Sequence, residues 1–390
     1  MASLAFPNRV GVVGPKRKWP LFMCAQKTFI WAAVALLLIG VTGCIPGISW
    51  LPDSSGFIYE AGHKGQNLVH FDIAKKTQRT IVCDAKLQTA WPAVSPDGKS
   101  LAAARLTLDQ DKGDSVQLLI YDLNGKSKKQ SKVFSLPRSG KGSNRLGLDS
   151  TWMFWGPRED KILVSISTSP PRVGIYDTKT DELKILKDAF ASAYAGRPAR
   201  PDGKGFVVTK WRDDSLDDIS WVDWDGNEQP IAMKPKVVET GYKKDMLTWP
   251  YTFTSSWQGT KALVSSSRGR LEIDTDQLIA KVDSISSGEP NGEDFVRQQF
   301  TFPDSQNILR IVDWTRHTDR GDDHISRLEM LHPRQKGTQT FMDNDKLKAL
   351  FPSPNGKLVA IRSFGPSYPQ DMIWVVDQAG QVVAKMMVQD

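Results

Sequence analysis

From about residue 46 onward, short runs of alternating apolar and polar residues are separated by clusters of Pro, Asp, Asn and Gly. Alternation with a period of two, interrupted by turn residues, predicts half-buried β-strands joined by hairpins. One segment states the unit in full. Thr89-Ala90-Trp91-Pro92-Ala93-Val94 leads into Ser95-Pro96-Asp97-Gly98, then into an apolar stretch from Ser100 to Leu106. After a polar loop come Gln117 to Tyr121, the turn Asp122-Leu123-Asn124-Gly125, and a closing segment Ser131 to Leu136.

The chemistry of the turns explains the punctuation. Pro96 sets φ for the second position of a type I turn, Asp97 bonds back to nearby amides, and Gly98 tolerates positive φ where the next strand begins. Asn124-Gly125 suits a tight second hairpin. One unit is therefore four antiparallel strands.

The unit repeats. Its first turn recurs as Leu51-Pro52-Asp53-Ser54, Gly156-Pro157-Arg158-Glu159, Arg200-Pro201-Asp202-Gly203, a degraded Gln258-Gly259-Thr260, Phe302-Pro303-Asp304-Ser305 and Ser353-Pro354-Asn355-Gly356. Pro52 to Pro96 and Pro157 to Pro201 are both 44 residues apart. The third strands repeat too, as Leu68-Val69-His70-Phe71-Asp72, Leu118-Leu119-Ile120-Tyr121-Asp122, Val173-Gly174-Ile175-Tyr176-Asp177, Ser220-Trp221-Val222-Asp223 and Ile373-Trp374-Val375-Val376-Asp377. Repetition at this period predicts an all-β, seven-bladed β-propeller of four-stranded antiparallel blades, with six or eight as the neighbouring counts.

Ser-Pro-Asp-Gly-Lys before a Leu-Ala-like strand, followed by a strand ending in an aromatic residue and Asp, resembles the repeat of TolB-like and WD-repeat-like propellers. The resemblance spans roughly residues 46 to 390, clearest in units two, four and seven and weakest in unit five. It implies radially arranged blades and says little about function, because propellers host many roles.

Ahead of the repeats stands a segment of different character. Residues 1–43 hold Arg9, Lys16, Arg17, Lys18 and Lys27 and no acid, then the apolar run Phe29 to Val41. That run is short for a membrane span and has the length of a signal-peptide core. Val41-Thr42-Gly43-Cys44 resembles the lipobox of bacterial lipoproteins, which implies acylation of Cys44. The domain reading is a signal peptide over 1–43 with Met23 as an alternative start, then a single propeller domain over 44–390. The expected location is the cell envelope, as a membrane-anchored lipoprotein facing the periplasm or the extracellular side.

Charge and cysteines narrow the partners. The formal charge is +7, and five of those charges lie in the leader, so the remainder is nearly neutral and offers no basic footprint for nucleic acid. With Cys24 in the leader and Cys44 acylated, Cys83 has no disulfide partner and is expected as a small buried apolar residue. The first strand begins almost directly after Cys44, and each unit reads as self-contained. Closure of the ring is then expected to rest on packing between the first and seventh blades.

The two rims differ in charge. Lys99, Lys126, Lys204 and Lys357 fall on the turn rim. Asp109, Asp111 and Asp114, then Asp213, Asp214, Asp217 and Asp218, then Asp319, Asp322 and Asp323 fall on the opposite loop rim. The sharpest cluster is the sixth-unit loop, where His317, Asp319, Asp322, Asp323 and His324 form a candidate binding loop able to converge on a divalent cation. A solvated acidic loop paired with Arg316 and Arg320 is the plainer account. The other histidines, His63, His70 and His332, are scattered, and His70 sits in a strand as a structural residue.

Thirteen tryptophans raise the question of a stacking surface. Trp50, Trp155 and Trp257 precede first turns and are expected to fill wedges between blades, whereas one or two of Trp211, Trp221, Trp224 and Trp314 could line a rim. No nucleophile elbow, phosphate-cradling loop or zinc-protease pair occurs, so no catalytic residue is assigned. The expectation is a non-catalytic, monomeric scaffold without a cofactor, binding an envelope protein or a peptidoglycan-associated partner. The alternative is a metal-assisted carbohydrate-active propeller, of polysaccharide-lyase or glycan-binding type, using the unit-six loop.

Overall fold

A computed structural model describes residues 47–61, 67–87, 89–107, 113–136, 150–167, 172–186, 189–190, 199–212, 215–233, 254–266, 269–285, 295–318, 321–332, 337–364 and 371–388. The leader and Cys44 lie outside them. Among the described residues every regular element is a strand. The strands form seven antiparallel blades of a β-propeller, as the repeats predict.

Blade 1 is Ile48–Trp50, Gly56–Ala61, Asn67–Asp72 and Thr77–Cys83, paired in chain order. Blade 2 has Ala93–Val94, Ser100–Thr107 and Ser115–Asp122, with Ser127–Gln130 and Phe134–Ser135 both pairing its third strand. Blade 3 has Ser150–Trp155, Lys161–Ser167, Arg172–Asp177 and Glu182–Leu186, and blade 4 has Ala189–Phe190, Gly205–Arg212, Ser215–Asp223 and Glu228–Pro230. Blade 5 has Thr254–Gln258, Lys261–Ser266, Gly269–Asp274 and Ile279–Ile285.

Blades 6 and 7 are one seven-stranded sheet. Phe295–Thr301, Ile308–Thr318 and Gly321–His332 lead into the long strand Gly337–Pro352, followed by Leu358–Phe364, Met372–Asp377 and Val382–Met387. The long strand serves both blades. Its residues from Gly337 to Asp345 pair with blade 6, and those from Lys346 to Pro352 pair with blade 7.

This corrects the picture of self-contained units. Besides the shared strand, Ala232–Met233 leaves blade 4 to pair in parallel with Ile279 and Ala280 of blade 5. Thr89 and Trp91, at the inner edge of blade 2, pair in parallel with Thr151 and Trp152 of blade 3. Short connections leave the chain extended as it crosses between blades, and an extended segment beside an unpaired strand edge gains backbone hydrogen bonds by joining it.

The repeated turn residues are mostly consumed by the turns. Asp97 accepts from the Lys99 amide at 2.9 Å and from the Ser95 hydroxyl at 2.6 Å, and Asn355 does the same for Lys357 and Ser353. At the second turn Asp122 accepts from the amides of Asn124 and Lys126, and Asp223 and Asp377 repeat the pattern. With Gly125 N donating to Asp122 O and Asp122 N to Lys126 O, this connection holds three residues, not the two expected of Asn-Gly.

The first turns also touch one another around the ring. A side chain on Gly203 would lie 2.6 Å from the Pro157 ring of the preceding blade, and one on Gly356 would lie 3.0 Å from Pro303. Glycine is thus required at these turns both by φ (74° and 69°) and by the neighbour's proline. At the seam between blades 7 and 1, Ser54 holds this position with a φ of 62°, and its hydroxyl accepts from the Asn355 amide at 3.3 Å.

Tryptophans fill the wedges, as expected for Trp50 and Trp155. The Trp50 indole donates to Phe351 O of blade 7 and the Trp155 indole to Ala93 O of blade 2, each at 2.8 Å. Trp50 belongs to a buried cluster that joins Phe57 and Tyr59 of blade 1 to Phe351, Ala360 and Val375 of blade 7, and Trp257 packs against the same cluster. The ends of the ring are therefore closed by side chains.

One expectation fails. Cys83 is exposed, because it is the last residue of an outer strand beyond the buried pair Ile81 and Val82. Of the four tryptophans weighed for a rim, Trp221 and Trp224 are buried, Trp221 edge-on to Trp257 and Trp224 against Phe206, and the side chains of Trp211 and Trp314 lie outside those described.

Candidate functional site

Antiparallel meanders place the first and second turns of each blade on one rim and the loops between second and third strands on the other. On the turn rim Lys99, Lys126, Lys204 and Lys357 are exposed. Their neighbouring carboxylates are held by the turns, so this rim presents cations above a hydrogen-bonded ring of carboxylates and amides.

The expected acidic loop rim is only partly described. Asp109, Asp111, Asp213, Asp214 and Asp319 lie outside the described residues, and for Asp217, Asp218, Asp322 and Asp323 only the backbone is described. The sixth-unit segment corrects the expectation of a loop. Strands run to Thr318 and resume at Gly321, with His317 opposite Asp322, Arg316 opposite Asp323 and Thr315 opposite His324. Four of the five candidate residues are therefore strand residues of a long hairpin, and neither their side chains nor Asp319 are among those described. His63 lies outside as well, while His70 is half-buried in blade 1, its imidazole held below the ordinary histidine range by burial and by Arg79.

What the described part of this rim does contain is a set of arginines at the seams. Between blades 1 and 2, Arg105 donates through Nε and Nη2 to Asp84 at 3.0 and 2.6 Å, and through Nη1 to Gln117. Between blades 7 and 1, the buried Arg362 donates through Nη1 to Glu60 O at 3.2 Å and through Nη2 to Asp371 at 2.9 Å. Beside it the Glu60 carboxyl is pushed up to about 8 by burial, against the pull of Arg362 and with the help of the Asp371 charge. Among the described residues one cation and two carboxyls share this seam, and the cation binds Asp371.

Arg172 of blade 3 faces the seam with blade 2, with Asp114 across it. Sequence reasoning missed all of these arginines. Their signal was a charged residue at the end of an otherwise apolar strand, as in Leu101-Ala102-Ala103-Ala104-Arg105 and Val359-Ala360-Ile361-Arg362.

Comparisons with known proteins place this geometry in a fold and go no further. No family model matches the chain, and no curated protein matches its sequence. Among solved structures, a prolyl endopeptidase is similar over 94% of this chain and 54% of its own, at 12% identity and a TM-score of 0.52. The β-propeller domain of the Trilobed protease from Pyrococcus furiosus, described as having an open velcro topology, aligns over 88% of this chain and 94% of its own at 12% identity and a TM-score of 0.48. The dihydro-heme d1 dehydrogenase NirN aligns over 88% of this chain and 66% of its own, again at 12% identity and 0.48. The chain is a seven-bladed β-propeller.

Proposed function

We propose that this propeller is an exported, membrane-anchored scaffold of the cell envelope that binds a protein or peptidoglycan-associated partner and performs no chemistry of its own, in the manner of TolB-like propellers. The observation that carries the reading is the apolar run Phe29 to Val41 ending in Val41-Thr42-Gly43-Cys44, four residues before the first strand at Ile48. In this reading residues 1–43 are the signal, Cys44 is the lipidated residue, and 44–390 form one monomeric domain facing the periplasm or the outside. Support also comes from the recurrent Asp and Asn residues of the two turns, whose side chains are taken up by backbone hydrogen bonds within the turns.

Metabolic labelling with an alkyne fatty acid in a host that processes lipoproteins tests the tether. Wild-type protein should carry the label and sediment with membranes, and Cys44→Ala should lose both. A mature protein whose mass shows residues 1–43 retained, or an unlabelled Cys44, would overturn the anchoring. Cross-linking of the tethered protein in intact cells tests the second half: recovery of a specific envelope partner supports it, and recovery of none counts against it.

A further inference from the structure

The buried and half-buried arginines of the described residues, compared with one another, single out Arg172. Arg105 binds Asp84 and Gln117, Arg200 binds Asp202, Thr275 and Asp276, Arg310 and Arg327 bind Glu329, and Arg362 binds Asp371 and Glu60 O. Arg172 is 8% exposed, and no hydrogen bond or ion pair of its guanidinium exists among the described residues. Its Nη1 is fully covered and has no acceptor.

Position explains where this cation points. Arg172 opens the third strand of blade 3, opposite Ile166, at the loop-rim end. Along that strand Val173 and Ile175 pack toward blade 4, while Tyr176 packs with blade 2. The two-residue period puts Arg172 on the Tyr176 side, in the seam between blades 2 and 3. Burial lowers its proton affinity, against the pull of Asp114 across the seam, just ahead of blade 2's third strand. No ion pair forms between them.

A guanidinium carries five donors, and an unpaired buried charge costs several kcal/mol. Such a group persists where an acceptor from outside the fold completes it. We propose that Arg172 anchors an anion-binding site at the loop end of the seam between blades 2 and 3, and that the site takes a single carboxylate. A carboxylate accepts two parallel N–H bonds from one guanidinium. One cation with Asp114 nearby suits a monoanion and disfavours a doubly charged phosphate. The site stands independently of the tethering reading, since it rests on blades 2 and 3 alone.

The test uses the full chain. Thermal unfolding is followed at pH 7 in acetate, phosphate and chloride of matched ionic strength, and calorimetric titration uses the tripeptide Ala-Ala-Ala with a free or an amidated C-terminus. Each response is read as wild type minus Arg172→Met, which cancels general salt effects. Acetate or the free tripeptide should raise the midpoint or bind, and the amide and chloride should not. Response to acetate assigns a small carboxylate, and response to the tripeptide alone assigns a peptide terminus. Arg172→Met should unfold no earlier than wild type in chloride, because an apolar side chain replaces an unpaired charge. Arg172→Lys should bind about tenfold more weakly, having lost the fork. Equal responses in wild type and Arg172→Met, or a larger response to phosphate than to carboxylate, would overturn the assignment.

Discussion

Two neighbouring seams of this ring are built by opposite means. Blades 6 and 7 share the strand Gly337–Pro352, and Gln298 of blade 6 adds a side-chain bridge to the backbone of Leu350 at 2.9 and 3.0 Å. Blades 7 and 1 have no shared strand among the described residues. They meet through Trp50 on Phe351 O, Ser54 under Asn355, Gln78 on Met387 O and Arg362 on Glu60 O. A backbone ladder tolerates most side-chain changes, whereas a seam of side chains is only as strong as those few residues. The closing seam is therefore where single substitutions reach the integrity of the ring.

The largest effect is expected at Trp50. Trp50→Ala removes a buried ring that contacts Phe57 edge-on at 5.2 Å, together with the indole bond to Phe351 O. A loss of about 3–5 kcal/mol in urea unfolding follows from the cavity and the lost hydrogen bond. Trp155→Ala makes the comparison sharp, because the same indole-to-carbonyl bond there is reinforced by the ladder between Thr89 and Thr151. It should cost less, and equal losses would break the distinction between the seams.

A second effect should be visible in pH. The Glu60 carboxyl, held near 8 in the fold against about 4.5 when free, binds its proton more tightly in the folded state. Its contribution to stability is therefore fully present below about pH 4.5 and is lost as pH rises through about 8. Urea midpoints should fall between pH 5 and pH 9 in the wild type, and Glu60→Gln should flatten that part of the profile. An unchanged slope in Glu60→Gln would remove the seam carboxyl from the account.

The smallest effect is expected at Ser54. Ser54→Gly relieves a non-glycine residue at a φ of 62° but gives up the bond from Asn355. The two terms nearly cancel, to within about 0.5 kcal/mol by differential scanning calorimetry. A loss well beyond that would show that the hydroxyl, more than the turn geometry, holds this end of the ring.

Local chemistry made much of the fold legible in advance. Ser95-Pro96-Asp97-Gly98 and its repeats announced hairpins because Pro, Asp and Gly act on the backbone of their own turn, whatever lies around them. Strand alternation announced the blades, and Trp50, Trp155 and Trp257 announced the wedges because each precedes a first turn. The exposure of Cys83 and the burial of Trp221 and Trp224 are not legible in sequence, since they depend on which strand is outermost and on the adjacent blade. The segment from His317 to His324 reads as a loop because polar residues there carry no apolar alternation, yet the ladder with the opposing strand holds His317, Asp322, Asp323 and His324 extended.

The repeat itself, with its turn residues and its period near 44, determined a seven-bladed all-β ring, because those signals are local and recur along the chain. Which seams are ladders and which are side chains was decided only in three dimensions. The strand shared by blades 6 and 7, the partners of Arg105 and Arg362, and the absence of one for Arg172 among the described residues depend on groups far apart in sequence. A buried charge is recognisable from its own strand, but whether it is satisfied is a property of the neighbouring blade.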